Sequence, residues 1–227
     1  MKQSQTEKVS IQGYFNYLNE IESLLSSKCK AQSHSHFLDL ENVHEALKVN
    51  LAVKVRHVSQ LLANNKASKK DFTNSLHAAE VVRLSQAHIR YVTFWNFLAK
   101  VQSGATKCPK VAEHTQNLCL LHGLSLLDRD CASCFECGYF QSRPYSEYIL
   151  GAIKHVISKI RPYALSIIET CQMDDEILVS AIGNSYGDIY ETHLRWAKDS
   201  KLNHTKNGDA IPDGYLEMIM PILKGKM

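Results

Sequence analysis

The sequence predicts an all-α fold, an antiparallel helical bundle with short C-terminal helices wrapped over it. Three observations point there. Apolar residues recur at steps of three and four through several long stretches, which lines one face of a helix. Only 10 glycines and 5 prolines occur in 227 residues, too few for the many tight turns of an all-β chain. No stretch carries the period of two that a half-buried strand needs in competition with these helices, and no internal repeat is visible.

Residues 1–39 read as a flexible N-terminal segment with one short docking helix. Residues 1–10 are polar, and Tyr14, Phe15, Leu18, Ile21 and Leu25 follow at helical spacing. Ser26 to Asp39 has no period and reads as a linker. From Leu40 the pattern sharpens: Val43, Leu47, Leu51, Val55, Val58 and Leu62 line one face of a long helix that Asn64 and Asn65 close. Ser68 to Asp71 form a charged turn. Leu84, Ala87, Tyr91, Phe94, Leu98 and Val101 then make an a/d-type seam, which Ser103, Gly104 and the Cys108-Pro109 pair end.

A third helix, about Lys110 to Leu127, carries Val111, Leu118, Leu121 and Leu124. The next stretch, DRDCASCFECGYFQSRP, breaks periodicity and reads as a loop. Beyond Pro144 a fourth helix carries Ile149, Ile153, Val156, Ile160, Ala164 and Ile167. Pro162 sits inside that pattern, where it removes a donor and should kink the helix. Asp174 or Asp175 can cap a fifth short helix through Leu178 to Ile182, ended by Gly183. The bundle is expected over 40–203, with a tail over 204–227.

Composition narrows the function classes. Lys plus Arg total 26 against 23 for Asp plus Glu, and the charges are interspersed, so the basic stripe of a nucleic-acid binder is missing. No apolar run approaches the roughly 20 residues of a membrane span. MKQSQTEKVS lacks the apolar core of a secretory signal. Seven cysteines in a chain of this size read as free thiols in a reducing compartment.

The stretch Gly183 to Asn203 combines a compact turn with a short amphipathic helix. Asp188 is placed to cap that helix, with Glu191 three residues on in capping-box register. His193, Arg195 and Lys198 fall in its last turns, where positive charge suits the helix dipole. Tyr190, Leu194 and Trp196 are available to dock it. Gly183 and Gly187 read as glycines that the turn conformation requires.

Few constellations could carry chemistry. Cys131, Cys134 and Cys137 form CxxCxxC and are the candidate metal ligands, but a closed site needs a fourth, which Cys119 or His122 could supply only if the preceding helix end folds back. Cysteines that simply fill loop contacts are the competing reading. His34 and His36 form an HxH pair in a polar stretch, where such pairs are usually solvated. A thiol nucleophile paired with His114 or His122 lacks an orienting group and an oxyanion hole. Arg83 and His88 lie on the seam helix and read as satisfied polar groups at a helix interface. No HExxH, GxSxG, GxGxxG or phosphate-binding loop occurs in its required context, and no catalytic residue is assigned.

Two stretches together carry a resemblance. SLHAAEVVRLSQAHIRYVTFWNFL, with Val82, Arg83, Ser85, Ala87, His88 and Tyr91, is similar to a V-R-x-S-x-A-H-x-x-Y-like helix of the peroxisomal acyl-CoA oxidases. IGNSYGDIYETHLRWAKDSKLN, with Gly183, Gly187, Tyr190, Trp196, Ala197, Lys198, Ser200, Leu202 and Asn203, resembles that family's L-G-x-Y-D-G-x-V-Y-like turn and W-A-K-x-S-x-L-N-like helix. The tail IPDGYLEMIMPIL looks like that of plant-type members. The resemblance spans roughly 40 to 223 and concerns the family's C-terminal helical domain. Asn184 and Ser185 depart from the usual turn residues.

Family members are FAD-dependent flavoenzymes of peroxisomal fatty acid β-oxidation. They oxidise acyl-CoA to trans-2-enoyl-CoA and pass electrons to oxygen, with a glutamate as general base. The resemblance implies that the flavin-binding domains and that glutamate lie upstream of the region seen here. The chain is therefore expected to be a C-terminal domain, fragment or truncated paralogue, structural in role and not binding FAD by itself. Its expected partners are the catalytic half of an acyl-CoA oxidase, a second copy in a homodimer, or both. A free-standing helical interaction module is the alternative. The family implies the peroxisome, which Gly225-Lys226-Met227 partly matches as an address; cytoplasm is the alternative.

Overall fold

The computed structural model describes residues 10–66, 68–200, 203, 211 and 214–225. The expectations placed on residues 1–9, on Leu202, on most of the 204–213 tail and on Lys226-Met227 lie outside them. The described residues are all helical or irregular, without a strand. They fall into two compact units, 1–164 and 165–227.

In the first unit a 3₁₀ helix, Gly13–Glu20, runs into α1 (Ile21–Ser26). Four long helices follow: α2 (Leu40–Asn64), α3 (Ala78–Gln102), α4 (Pro109–Arg129) and, after a short α5 (Ala132–Glu136), α6 (Pro144–Ile160). α4 packs against α2, α3 and α6, and α2 packs against α3. Short connections between neighbours make this an antiparallel bundle.

The sequence pattern and the core coincide. Val43, Leu47, Leu51, Val55 and Val58 of α2 are buried, as are Tyr91, Phe94 and Leu98 of α3 and Ile149 and Val156 of α6. Each such side chain contributes about 1.5–3 kcal/mol through removal from water. The α2 start is fixed by Asp39, whose carboxylate accepts from the Glu41 N–H at 2.9 Å. On α4, a Cβ at Gly123 would lie 2.5 Å from Phe94 Cε2 and 2.8 Å from Val43 Cγ1. Gly123 lets three helices approach closely.

Three sequence expectations are corrected here. Ser26–Asp39, read as a linker, is packed: Cys29, Ala31 and Phe37 are buried, and His34–Leu38 forms a 3₁₀ helix against α6. The segment is also pinned by polar contacts, the Cys29 N–H donating to Tyr139 O and the Tyr145 hydroxyl to Cys29 O. Ser68–Asp71 is not merely a turn: Ser68 caps Lys69–Asp71, which continues as a π-helical turn, Phe72–Leu76, with Phe72 buried. The loop after α4 contains α5.

Around Pro162 the α-helical pattern is interrupted, where the sequence predicts a kink. α6 stops at Ile160, a 3₁₀ turn covers Arg161–Tyr163, and α7 (Ala164–Glu169) resumes. In the second unit come α8 (Asp175–Leu178), α9 (Ile189–Asp199), a π-helical turn Tyr215–Ile219 and α10 (Met220–Leu223). α8 falls short of the predicted helix: it ends at Val179, which is left-handed at φ 44°, rather than at Gly183. Among this unit's described residues only Ala181 and Thr192 are buried. Leu165, Ile168, Ile177, Ile182, Tyr190 and Leu194 are all exposed.

Candidate functional site

The turn into α9 is built on Asn184. Its Oδ1 accepts from the Gly187 N–H at 2.7 Å, while its Nδ2 donates to Asp188 Oδ1 at 2.7 Å and to Thr192 Oγ1 at 3.2 Å. The Thr192 hydroxyl donates to the same Asp188 oxygen at 2.9 Å, and Arg195 donates to Thr192 Oγ1 at 3.2 Å. Upstream, both Asp175 carboxylate oxygens accept from the Ser185 N–H at 3.2 Å. Asn184 and Ser185, the two departures from the family pattern, are thus the residues that hold the turn. Sequence reading placed Asn184 in the turn and Asp175 at a possible helix cap, but it missed Thr192 and the hydrogen bonds that join these residues; an Asn three residues before a Gly was the available signal.

Asp188 sits at the N-cap position of α9, but its side chain makes no bond to the helix's free N–H groups. The predicted capping box is replaced by the side-chain network. Hydrogen bonds from Thr192 and then Asn184 hold the Asp188 carboxyl below its ordinary pKa. Gly187 has φ +72°, a conformation that suits glycine, and a Cβ there would meet nothing within 4 Å. Gly183 is not left-handed; a Cβ would instead approach Leu178 Cδ2 at 2.8 Å.

α9 turns an apolar and aromatic face outward. Tyr190 is 83% exposed, Leu194 60% and Trp196 40%, and Tyr186 in the turn is 85% exposed. These side chains, expected to dock the helix, remain open in this unit. An open groove of about 370 Å³ beside them is lined by Asp175, Glu176, Val179, Tyr186, Arg195 and Trp196 among others.

The cysteine loop does not assemble a metal site. Cys131 Sγ faces Asp128 O at 3.8 Å, Cys134 Sγ faces Ala46 O at 3.7 Å, and Cys137 Sγ faces Cys134 O at 3.5 Å. The thiols point to separate backbone carbonyls, and no three His, Cys, Asp or Glu among the described residues converge to hold an ion. Burial raises the pKa of Cys131 and Cys134, and that of Cys119 to about 11, so these thiols stay protonated. All seven cysteines are free. What the loop does is mechanical. Lys54 of α2 donates to Asp130 at 3.0 Å and to Ser133 Oγ at 2.8 Å, fixing the loop start to the bundle.

The remaining candidates disperse. His36 Nε2 lies 3.8 Å from Cys29 Sγ, while the His34 ring faces His155 with centroids 6.2 Å apart. His114 packs on Tyr163 at 4.1 Å and His122 lies among Phe94 and Phe97. His88 anchors the N-terminal helix: Phe15 stacks on its ring at 4.5 Å, and its Nδ1 is 3.2 Å from the Tyr17 hydroxyl. Arg83 lies on the exposed side of α3, away from the interface expected for it.

Neither of two grooves on the bundle offers the lining a flavin needs. A groove of about 530 Å³ between the start of α2 and the end of α3 carries Asp39 and Glu41 and presents no cation to a pyrophosphate. Another, of about 300 Å³, carries Glu20, Glu41 and Glu45 against one lysine, Lys48. Both are polar and wide open, unlike the enclosed, largely apolar cleft that an isoalloxazine needs.

Fold and sites together define a helical bundle with protonated, structural thiols, and a second unit whose described helices leave apolar side chains exposed. A family model for acyl-CoA oxidase matches residues 39–224. The chain belongs to the acyl-CoA oxidase family. It is 27% identical over 199 residues to peroxisomal acyl-coenzyme A oxidase 1 of Bos taurus, covering 86% of this chain and 30% of that protein. Against the Rattus norvegicus counterpart identity is 26% over 218 residues, covering 92% and 32%. Among solved structures, Arabidopsis thaliana acyl-CoA oxidase 1 superposes with a TM-score of 0.79 at 21% identity, over 100% of this chain and 33% of that one. Acyl-CoA oxidase-1 of Caenorhabditis elegans, complexed with FAD and ATP, gives 0.69 at 19% identity, over 99% and 31%. The chain spans about a third of the length of the curated relatives it matches.

Proposed function

We propose that this chain serves as the C-terminal helical part of a peroxisomal acyl-CoA oxidase, structural in role and inactive by itself. In this reading FAD, the acyl-CoA and the glutamate base belong to a flavin-bearing part, which carries out the family reaction of acyl-CoA and oxygen to trans-2-enoyl-CoA and hydrogen peroxide. This chain packs against that part and supports assembly of a homodimer. The observation that carries the reading is the family match over residues 39–224, combined with coverage of only about a third of the relatives. The large apolar side chains that α7, α8 and α9 leave exposed, Leu165, Ile168, Ile177, Tyr190 and Leu194 among them, support it, because docking would remove them from water. Location in the peroxisome is supported by the names of the relatives.

The reading is tested by purifying the chain alone and measuring bound flavin and peroxide release from acyl-CoA. The expected result is neither. Stoichiometric FAD with peroxide production from the isolated chain would refute it. A fluorescently tagged chain that stays in the cytoplasm would count against the peroxisomal part of the proposal.

A further inference from the structure

Two histidines meet where the 3₁₀ helix His34–Leu38 packs against α6. Gly151 seats it: a Cβ there would lie 3.0 Å from His34 Cβ, so the absence of a side chain lets the two elements come this close. One turn further along the same face of α6 stands His155, and its ring centre is 6.2 Å from that of His34. Both residues are exposed. His36, the other half of the HxH pair, is engaged elsewhere. Its Nε2 lies 3.8 Å from Cys29 Sγ, and its ring stands edge-on to Phe37 with centres 5.3 Å apart. The fold thus gives His34 a partner from another element in place of the one beside it in sequence.

We propose that His34 and His155 form a two-imidazole chelate for a borderline divalent transition metal, of the Ni²⁺, Cu²⁺ or Zn²⁺ class. Ring nitrogens bind such ions at about 2.0–2.1 Å, which sets the metal about 3.2 Å from a ring centre and lets one ion span centres up to about 6.4 Å apart. The observed 6.2 Å falls inside that span. Because both rings are exposed, rotation about their side-chain bonds brings them to the bent arrangement that tetrahedral or square geometry demands. Water fills the remaining positions, since no third His, Cys, Asp or Glu among the described residues joins the pair. Imidazole ligation selects this class of ion over Ca²⁺ and Mg²⁺, which demand oxygen. The two ligands lie far apart in sequence, so the ion binds the folded chain in preference to the unfolded one and staples the segment before α2 to α6.

The test is calorimetric titration of the untagged whole chain with Ni²⁺, repeated on single variants. The wild-type chain is expected to bind the ion and to gain in Tm when it does. His34→Ala and His155→Ala should each weaken binding by about tenfold or more, because the remaining imidazole then acts without its partner. Each should also remove the gain in Tm, whereas His36→Ala should change neither readout. Both rings are exposed, so neither substitution opens the core. No binding by the wild type, or binding kept in either His34→Ala or His155→Ala, overturns the proposal. A loss in His36→Ala that matches the loss in His34→Ala overturns it too, assigning the ion to the HxH pair.

Discussion

Val179 holds a left-handed backbone at φ 44° although its branched side chain disfavours that region. Its side chain is 69% exposed, so the strain is not repaid by burial of the isopropyl group. Val179→Gly should therefore stabilise the chain by about 1 kcal/mol, read from denaturant unfolding, the relief of strain exceeding the extra glycine entropy. At Gly187 the logic reverses. Its φ of +72° with open space around the Cβ means that Gly187→Val acts through conformation alone, and a loss of about 1 kcal/mol or more is expected in the same measurement. Unchanged unfolding in that variant would contradict the turn geometry. Asp188 adds a pH dependence. Its folded pKa lies below the ordinary carboxylate value, so its charge stabilises the turn at neutral pH and that contribution is lost as pH falls through the folded value. Acidification below about pH 4 should loosen the turn, and Asp188→Asn should flatten that part of the profile, as followed by Trp196 fluorescence.

At the scale of elements, close approach at Gly123 and half-buried histidines give two further expectations. Gly123→Ala gains helix propensity but drives a methyl into Phe94 and Val43, both fully buried and unable to retreat. A net destabilisation of about 1–3 kcal/mol is expected, against the gain of about 1 kcal/mol at an open helical site. His44 is held neutral, its pKa lowered chiefly by burial and further by Lys48 while Glu41 pulls it up; its Nε2 lies 3.1 Å from the Tyr91 hydroxyl. His88 and His122 are also lowered by burial. A base whose folded pKa is depressed costs stability once the unfolded chain takes up its proton. The bundle should therefore weaken progressively as pH drops below about 6.5, and His44→Gln should reduce that slope in thermal melts across pH.

The same elements show what was readable in advance. α2, α3 and α6 were legible because Val43 through Leu62, Leu84 through Val101 and Ile149 through Val156 repeat the helical period. Ser26–Asp39 was not, since Cys29, Ala31 and Phe37, the buried residues that hold it, fall at irregular spacing and leave no period to read. α8 ended early because Val179 adopts a conformation that its residue type does not announce. The Asp188 cap failed for a local reason: Thr192 and Asn184, each four residues away, claim the carboxylate before the helix N–H groups can.

At the scale of the whole molecule, the first unit has its own core, and the described residues of the second do not form one. Among the described residues from 165 on, almost nothing is buried, and Leu165, Ile168, Tyr190 and Leu194 face solvent. Composition could not reveal this, because an outward apolar stripe and an inward one read alike in sequence; family likeness supplied the reading, and burial shows which stripes are left open. Hydrogen exchange on the chain, free and mixed with the separately expressed flavin-bearing part of its cognate oxidase, tests the docking role most directly. The account predicts a complex in which amides of Ala164–Glu169 and Ile189–Asp199 slow markedly. Failure of the two to associate, or protection confined to the bundle with these helices exchanging as before, would contradict it.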